Sequence, residues 1–244
     1  MRSNVIENIY KSSLKFVNYL RPEEAYRKIV EEATKLVGAR DGSIFLASEE
    51  GELHRAYTSV ENNPLVEPRR RGSAYEVYST RKIIVLSCDE FSRHHRQLSK
   101  RGIKSLILIP LSYNRNSIGV LSLLSTEENH FSDEMVRALK LFGSMASLVI
   151  RKTQLYQETE DALKARDLLI ALMAHELKTP LTALNLQVQM LDNGKNKKIH
   201  PLLTKKIVKE TRRLIRLVEQ FIAVDQIKSG VLQYELHTHN LKDI

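Results

Sequence analysis

The sequence has only one cysteine, no long apolar run and no Gly-x-Gly motif. Its cysteine, Cys88, excludes an internal disulfide and favours a reducing compartment. No run approaches the roughly 18 apolar residues that span a bilayer. The N-terminal region, with Glu7, Glu23 and Glu24, lacks the form of a signal peptide. We therefore expect this chain to be cytoplasmic, and whether a longer parent protein carries a membrane anchor stays open.

Glycine-rich motifs that bind phosphate groups are also missing. With neither a Gly-x-Gly pair nor a P-loop, the chain should hold no ATP site of its own. The formal net charge is +9, but it is divided almost evenly between residues 1–150 and 151–244 and is not interleaved with aromatic side chains. The basic runs are typical of solvated faces, so no nucleic-acid partner is expected.

The most informative stretch is residues 175–180, His-Glu-Leu-Lys-Thr-Pro, within a segment whose apolar residues recur at helical spacing. A neutral imidazole is a nucleophile near pH 7, and Glu176 is placed to accept a proton from His175. Thr179 follows one turn after His175, where its hydroxyl can orient a water or touch a phosphoryl group. Lys178 adds a positive charge. Pro180 cannot donate to the carbonyl of Glu176, so the helix should bend or loosen there.

All six positions resemble the phosphoacceptor motif of two-component sensor histidine kinases, His-Glu-apolar-basic-Ser/Thr-Pro. The resemblance implies that His175 accepts a phosphoryl group, that Glu176 is the general base and that Thr179 assists the reverse phosphatase reaction. It also implies a response-regulator receiver domain as partner, and ATP with Mg bound by a separate domain. A zinc protease also begins its helical motif with His-Glu, but Thr179 stands where the second histidine ligand belongs, so no metal site is expected.

Two amphipathic helices surround this motif. The first should end at residues 192–194, Asp-Asn-Gly, and Pro201 suits the first turn of the second, which should end near residues 229–230. Two helices alone cannot bury such apolar stripes, so two copies should pair into a four-helix bundle. The predicted stripes are Leu163, Leu169, Leu172, Met173, Leu177, Leu181, Leu184, Val188 and Leu191, then Leu203, Ile207, Leu214, Leu217, Val218, Phe221, Ile222 and Ile227.

Residues 21–150 predict a different kind of module. Helical patterns lie at about 4–20 and 22–37, where Pro22 suits the start of the second helix and Gly38 follows its end. Strand-like runs follow at 42–47, 53–57, 82–86, 105–111 and 118–124, with a turn at 114–116 between the last two, and Ser132 can cap a closing helix. This order indicates an α+β domain with helices packed on an antiparallel sheet. It resembles a GAF domain, most specifically in residues 101–111, 118–121 and 131–134, and residues 72–78 resemble the family's short helix before the ligand pocket.

The ligand of this module is not evident from its residues. Some GAF domains bind a linear tetrapyrrole through a cysteine, but the equivalent plant-type position here falls near Arg93, which argues against a covalent bilin there. Cys88 is interpreted as a buried structural thiol, with an unusual linkage or a redox role left open. His94 and His95 are interpreted as a polar loop rather than as haem or metal ligands. Cyclic-nucleotide binding and the absence of any ligand both stay open.

The predicted organisation has five parts: an N-terminal helix at 1–20, a GAF sensor domain at 21–150, a coiled-coil signalling helix at 151–167, a dimerising phosphotransfer hairpin at 168–230, and the start of a linker at 231–244. A continuous helix before His175 could transmit motion from the sensor, with Pro180 absorbing it. Lacking the ATP-binding domain, the chain should not autophosphorylate alone. A non-enzymatic dimeric sensor or scaffold and a stand-alone phosphotransfer protein are the alternatives.

Overall fold

A computed structural model describes residues 7, 11–12, 14–59, 68–87, 102–192 and 200–228, with only the backbone at residues 200 and 224–228. The chain divides into two compact units, which meet in sequence at residues 160 and 161. Cys88, Arg93, His94 and His95 lie outside the described residues, as do the basic loop at 195–198 and the tail at 231–244. Within the described part of the chain, no helix is long and apolar enough to cross a membrane.

The described elements follow the expected order of helix, strands and helix. Before them, residues 14–17 are helical, in agreement with part of the predicted N-terminal helix. The elements are α1 (Pro22–Val37), β1 (Asp41–Ala47), β2 (Leu53–Thr58), α2 (Ser73–Thr80), β3 (Ile84–Leu86), β4 (Ser105–Tyr113), β5 (Asn116–Ser125), α3 (Asp133–Asp192) and α4 (His200–Lys228).

The strands form one five-stranded antiparallel sheet in the order β2-β1-β5-β4-β3. The β4–β5 hairpin turns through Asn114 and Arg115, whose φ angles of 48° and 65° are both positive. Positive φ at two successive central residues matches the right-handed twist of the flanking strands. The α+β fold predicted for this module is therefore confirmed, and the turn lies where the sequence indicated it.

Helix ends are set by the residues that the sequence suggested. Pro22 begins α1, where its missing N–H costs nothing, and Gly38 ends it in the left-handed conformation with φ 65°. At the start of α3, the amide of Met135 donates to Ser132 Oγ at 3.4 Å. These residues determine where α1 begins and ends and where α3 begins.

Side chains alternate between two cores along the strands. One core lies between the sheet and the helices α1 and α3, and there Phe16 meets Phe142 edge to face with ring centroids 5.2 Å apart. The other lies between the sheet and α2, around the fully buried Val77. The side chains of β4 and β5 that fill the first are Ile107, Ile109, Leu111, Leu121 and Leu123, and those that fill the second are Leu106, Leu108, Val120 and Leu124.

Gly119 lets β5 pair closely with β1. A Cβ at this position would overlap the carbonyl oxygen of Phe45 and lie 3.1 Å from Cα of Leu46. The obstacle is backbone, which cannot yield as a flexible side chain can. Glycine is therefore required here for space, whereas Gly102 is favoured by its φ of 75° and has open space around it.

We expect Gly119→Ala to lower the free energy of unfolding by about 3 kcal/mol, because the β1–β5 pairing must open to admit the methyl group. Gly102→Ala is the matched control and should cost only about 1 kcal/mol, the preference for a left-handed backbone. Urea unfolding followed by circular dichroism measures both. Equal losses in the two variants would contradict the close approach at Gly119.

The helices around the first core are tied together by polar contacts. Burial by itself would raise the pKa of Glu32, but the hydrogen bond and charge of Lys15, at 2.8 Å, and the charge of Lys28 hold that pKa below its ordinary value. The Tyr26 hydroxyl of α1 is hydrogen-bonded to the side chains of Thr153 and Gln154 in α3. These contacts join α1 to the N-terminal stretch on one side and to α3 on the other.

Tyr26 should make stability depend on pH in the alkaline range. Burial, with the nearby charge of Glu23, raises its pKa from 10.0 to about 12, so the folded chain holds this proton more tightly than the unfolded chain. Stability is then full below pH 10 and falls between about pH 10 and 12, by roughly 1–3 kcal/mol. Urea unfolding across this range should show a smaller fall for Tyr26→Phe than for the unsubstituted chain. Identical slopes would contradict the assignment.

The second unit contains the long helix's C-terminal part and α4. Helix α3 has 60 residues and runs through Pro180 without interruption, so the continuous helix expected before the histidine is confirmed. The predicted apolar stripe of α3 is divided in two. Leu169, Met173, Leu177, Leu184 and Leu191 are half-buried, whereas Leu163, Leu172, Leu181 and Val188 are exposed.

Helix α4 is divided in the same way. Its inward residues recur at alternating spacings of four and three, the pattern of a helix packed along one seam. They are Leu203, Ile207, Glu210, Leu214, Leu217 and Phe221, while Val208, Ile215, Val218 and Ile222 are exposed. One chain therefore buries one seam on each helix and leaves other apolar residues uncovered. On α3, Leu163, Leu181 and Val188 form an uncovered seam on one side, whereas Leu172 lies on the side of His175.

Candidate active site

His175 lies on the exposed side of α3. Its side chain is 77% exposed, and Nδ1 is 3.6 Å from Oε1 of Glu176, whose side chain is 53% exposed. This separation is longer than a good hydrogen bond but close enough for a carboxylate to attract an imidazole proton. The helix thus displays an accessible ring nitrogen next to a proton acceptor.

The residues after the histidine combine a hydroxyl with an altered helical hydrogen-bond pattern. Thr179 Oγ1 donates to the His175 carbonyl at 3.4 Å, and Thr182 Oγ1 donates to the Lys178 carbonyl at 2.8 Å. Pro180 has no N–H for the carbonyl four residues earlier. The longer and weaker of the two hydroxyl contacts belongs to Thr179, so its hydroxyl can be redirected toward a group at His175 at small cost. The bend at Pro180 and the roles of Thr179 and Lys178 stay predictions.

Pro180 and His175 face different surroundings. Pro180 is buried within the inward seam of α3, whereas His175, Glu176 and Lys178 are exposed. Because Pro180 lies in the packed seam, the backbone hydrogen bond that it cannot make is missing on the packed side of α3. The reactive side chains are therefore held by a packed seam but remain open to a reactant.

An exposed apolar surface surrounds the histidine, and the sequence analysis largely missed it. Leu168 is seven residues before His175, and Leu172 and Leu186 are each seven residues from Thr179, so all share one face of α3. They are exposed, as is Met190 on the next turn. The seven-residue spacing was the available signal. An exposed apolar surface of this kind on a helix is typical of a partner-binding site.

The ligand face of the first unit is described only in part. The Tyr75 hydroxyl of α2 accepts a hydrogen bond from the Leu53 amide at 2.9 Å, which fixes α2 over the second core. Cys88, Arg93 and the two histidines considered as ligands lie outside the described residues. The sequence-based interpretations of a bilin, haem or other ligand therefore stay predictions.

Comparison with protein families assigns both units. The GAF domain family matches residues 21–150, more than half of the chain. The His Kinase A (phospho-acceptor) domain family matches residues 165–230, which include His175. The chain belongs to the GAF-containing sensor histidine kinases. Its phospho-acceptor domain implies dimerisation and partners of the two-component type.

Curated relatives agree with this sensor kinase assignment. The chain is 23% identical over 165 residues to hybrid signal transduction histidine kinase G of Dictyostelium discoideum, covering 59% of this chain and 5% of the relative. It is 26% identical over 126 residues to the adaptive-response sensory kinase SasA of Crocosphaera subtropica, covering 48% of this chain and 33% of the relative. The chain thus spans a third or less of these relatives' lengths.

A solved structure supports the fold of this sensor kinase's first unit. The GAF domain from a phosphoenolpyruvate-protein phosphotransferase of Coxiella burnetii matches with a TM-score of 0.56 and 16% identity. The match covers 64% of this chain and 98% of that domain. At this identity the likeness shows the GAF fold and leaves the ligand of the present domain open.

Proposed function

We propose that His175 is the phosphorylation site through which the GAF domain's signal is passed to a response regulator. The observation that carries the proposal is the accessible imidazole of His175, 3.6 Å from the Glu176 carboxylate, within the matched phospho-acceptor domain. An exposed imidazole is idle in most helices. Here it has an adjacent base, a following threonine and an open apolar surface for a partner.

Each bond and proton that changes in this phosphoryl transfer can be assigned to a group at the site or to a reactant. Because Nδ1 is turned toward Glu176, Nε2 is the nitrogen that attacks the γ-phosphorus of ATP. The bond between that phosphorus and the β–γ bridging oxygen breaks, ADP leaves, and the imidazole proton passes to Glu176. In the second step a carboxylate oxygen of a receiver-domain aspartate attacks the same phosphorus, and the bond to Nε2 breaks. As that bond breaks, Nδ1 takes back a proton from Glu176, so His175 is released as a neutral imidazole.

Two kinds of partner have to reach His175 in turn. An ATP-binding domain must bring ATP with Mg, and a receiver domain must bring its aspartate. The exposed residues on both sides of the histidine, Leu168 and Leu172 before it and Leu186 and Met190 after it, offer apolar contact to such domains. We assign both domains as partners, in the cytoplasm, of a homodimer whose second copy covers the uncovered seams of α3 and α4.

The second candidate is a non-enzymatic dimeric sensor or scaffold in which His175 is idle. It is favoured by one feature, the large apolar surface on both helices, which serves assembly equally well. The two candidates differ in whether a phosphoryl group ever resides on His175.

Phosphorylation of His175 can be tested with a histidine-kinase ATP-binding domain supplied in trans and ATP labelled at the γ-phosphate. We expect acid-labile label on the unsubstituted chain, none on His175→Ala, and labelling about a hundredfold slower on Glu176→Gln, because the proton acceptor is lost. Thr182→Ala is the control and should label normally. Equal label on His175→Ala would contradict the site, and label on no variant would favour the scaffold.

Thr179 should act in the removal of the phosphoryl group. Starting from labelled chain, we expect Thr179→Ala to lose label to water at least about tenfold more slowly, because its hydroxyl no longer orients the attacking water. Thr182→Ala removes a hydroxyl that also bonds to a backbone carbonyl but lies about one turn further from His175. It should lose label at the normal rate. Equal rates in both variants would assign no role to the Thr179 hydroxyl.

Helix continuity predicts how the GAF domain controls the site. Each residue inserted after Thr159 turns the downstream helix by about 100° relative to the upstream helix. In the complete parent protein, insertions of one or two residues should change kinase output, whereas a seven-residue insertion should largely restore it, because the heptad phase returns. Receiver phosphorylation measures the output. Unchanged output for every insertion would exclude transmission through helical phase.

A further inference from the structure

Basic side chains gather on one side of α4. They lie between residues 205 and 216, and at about 100° per residue they fall on about a third of the helix circumference. All of them are exposed, and the middle of their arc is about 120° from the inward seam that contains Leu214. We call this surface the cationic face, and it consists of Lys205, Lys206, Lys209, Arg212, Arg213 and Arg216.

The chain itself does not neutralise the cationic face. The one acid between its ends, Glu210, belongs to the inward seam. Elsewhere in the chain several cations are paired, as Lys104 is with Glu128 at 3.0 Å and Arg151 is with Glu158 at 3.3 Å. Among the described residues, no member of the cationic face forms such an ion pair. Its positive charge is therefore available to an anionic partner.

An open groove runs along this side of α4. Its described lining residues include Lys205, Lys209, Arg212 and Arg216 and no acid. Guanidinium groups match the geometry of phosphate oxygens, and ammonium groups bind phosphate as point charges. A phosphate group in the groove can therefore meet more than one cation.

The composition of the cationic face distinguishes among anionic partners. Protein interfaces are enriched in aromatic residues and methionine and depleted in lysine. The stretch from 205 to 216 has three lysines and no aromatic residue, unlike the face of His175 with its leucines and Met190. Single-stranded nucleic acids stack on aromatic side chains, which this face also lacks. A cluster of about four to eight cations on a helix matches an anionic lipid surface, which supplies charge without fixed geometry.

We propose that the cationic face of α4 binds the phosphate headgroups of an anionic membrane surface. The headgroups lie among the lysine and arginine side chains, and the attraction between them is screened by salt. This contact brings the phosphotransfer domain to the membrane surface. The inference goes beyond the proposed function and does not rest on it.

Co-sedimentation of the full chain with vesicles tests this binding. We expect the chain to sediment with vesicles of phosphatidylcholine and phosphatidylglycerol in equal parts, and not with vesicles of phosphatidylcholine alone. Lys205→Glu combined with Arg212→Glu should lower the binding constant at least about tenfold, because two attractions become repulsions.

Arg137→Glu combined with Lys140→Glu is the matched control. It changes the net charge by the same amount at two exposed positions of α3, and it should lower the binding constant less than about threefold. All four substituted residues are exposed, so both double variants should fold, which circular dichroism checks. Equal losses of vesicle binding in the two double variants would overturn the inference.

Salt and soluble polyanions complete the test. Bound chain should leave the vesicles as sodium chloride is raised, since the contact is electrostatic. Polyglutamate and duplex DNA, used in place of vesicles, test an acidic protein and a nucleic acid as the partner. Binding to either of them without binding to the mixed vesicles, or vesicle binding that persists at high salt, would overturn the inference. Label on His175 should be normal in both double variants, so the proposed function is decided by a separate measurement.

Discussion

The unbroken backbone hydrogen-bond ladder of α3 is the constraint on which the rest depends. The helix begins at the Ser132 cap, packs on the sheet through Phe142, and continues to Asp192 with His175 on its course. In a continuous helix, the side on which each residue stands is determined by its position along the chain. The residues around His175 therefore keep fixed sides of α3 relative to Pro180 and the inward seam.

The same helix must be apolar on several sides, and this explains its composition. Across its full length the apolar residues do not fall on one stripe, because the core side in the GAF unit, the inward seam around Pro180 and the face of His175 make different demands. The inward seam supplies rigidity to the site. In the proposed function the face of the histidine has to stay open, since a buried imidazole could not meet a nucleotide and then an aspartate.

Local signals in the sequence were sufficient for much of the fold. Pro22, Gly38 and Ser132 act through their own backbone or side-chain geometry within one turn, so the helix ends could be predicted. The motif at residues 175–180 is likewise contiguous, and the pairing of His175 with Glu176 needs only neighbouring residues. Features that depend on distant residues could not be derived from the sequence alone. The sheet order, the Lys15–Glu32 contact and the Tyr26 hydrogen bonds to α3 are of this kind.

The division of apolar residues into buried and exposed seams is the most instructive difference between sequence and structure. Periodicity identified Leu177 and Leu181 as equivalent members of one stripe, yet one is half-buried and the other is exposed. The spacing of apolar residues indicates that a residue is to be buried, but it does not indicate which part of the chain or which other molecule covers it. Within one chain α4 covers only the inward seam. The apolar residues left exposed, among them Leu181 in α3 and Ile222 in α4, are therefore surfaces for other molecules. The seven-residue spacing of Val208, Ile215 and Ile222 points first to a second copy of the same helices.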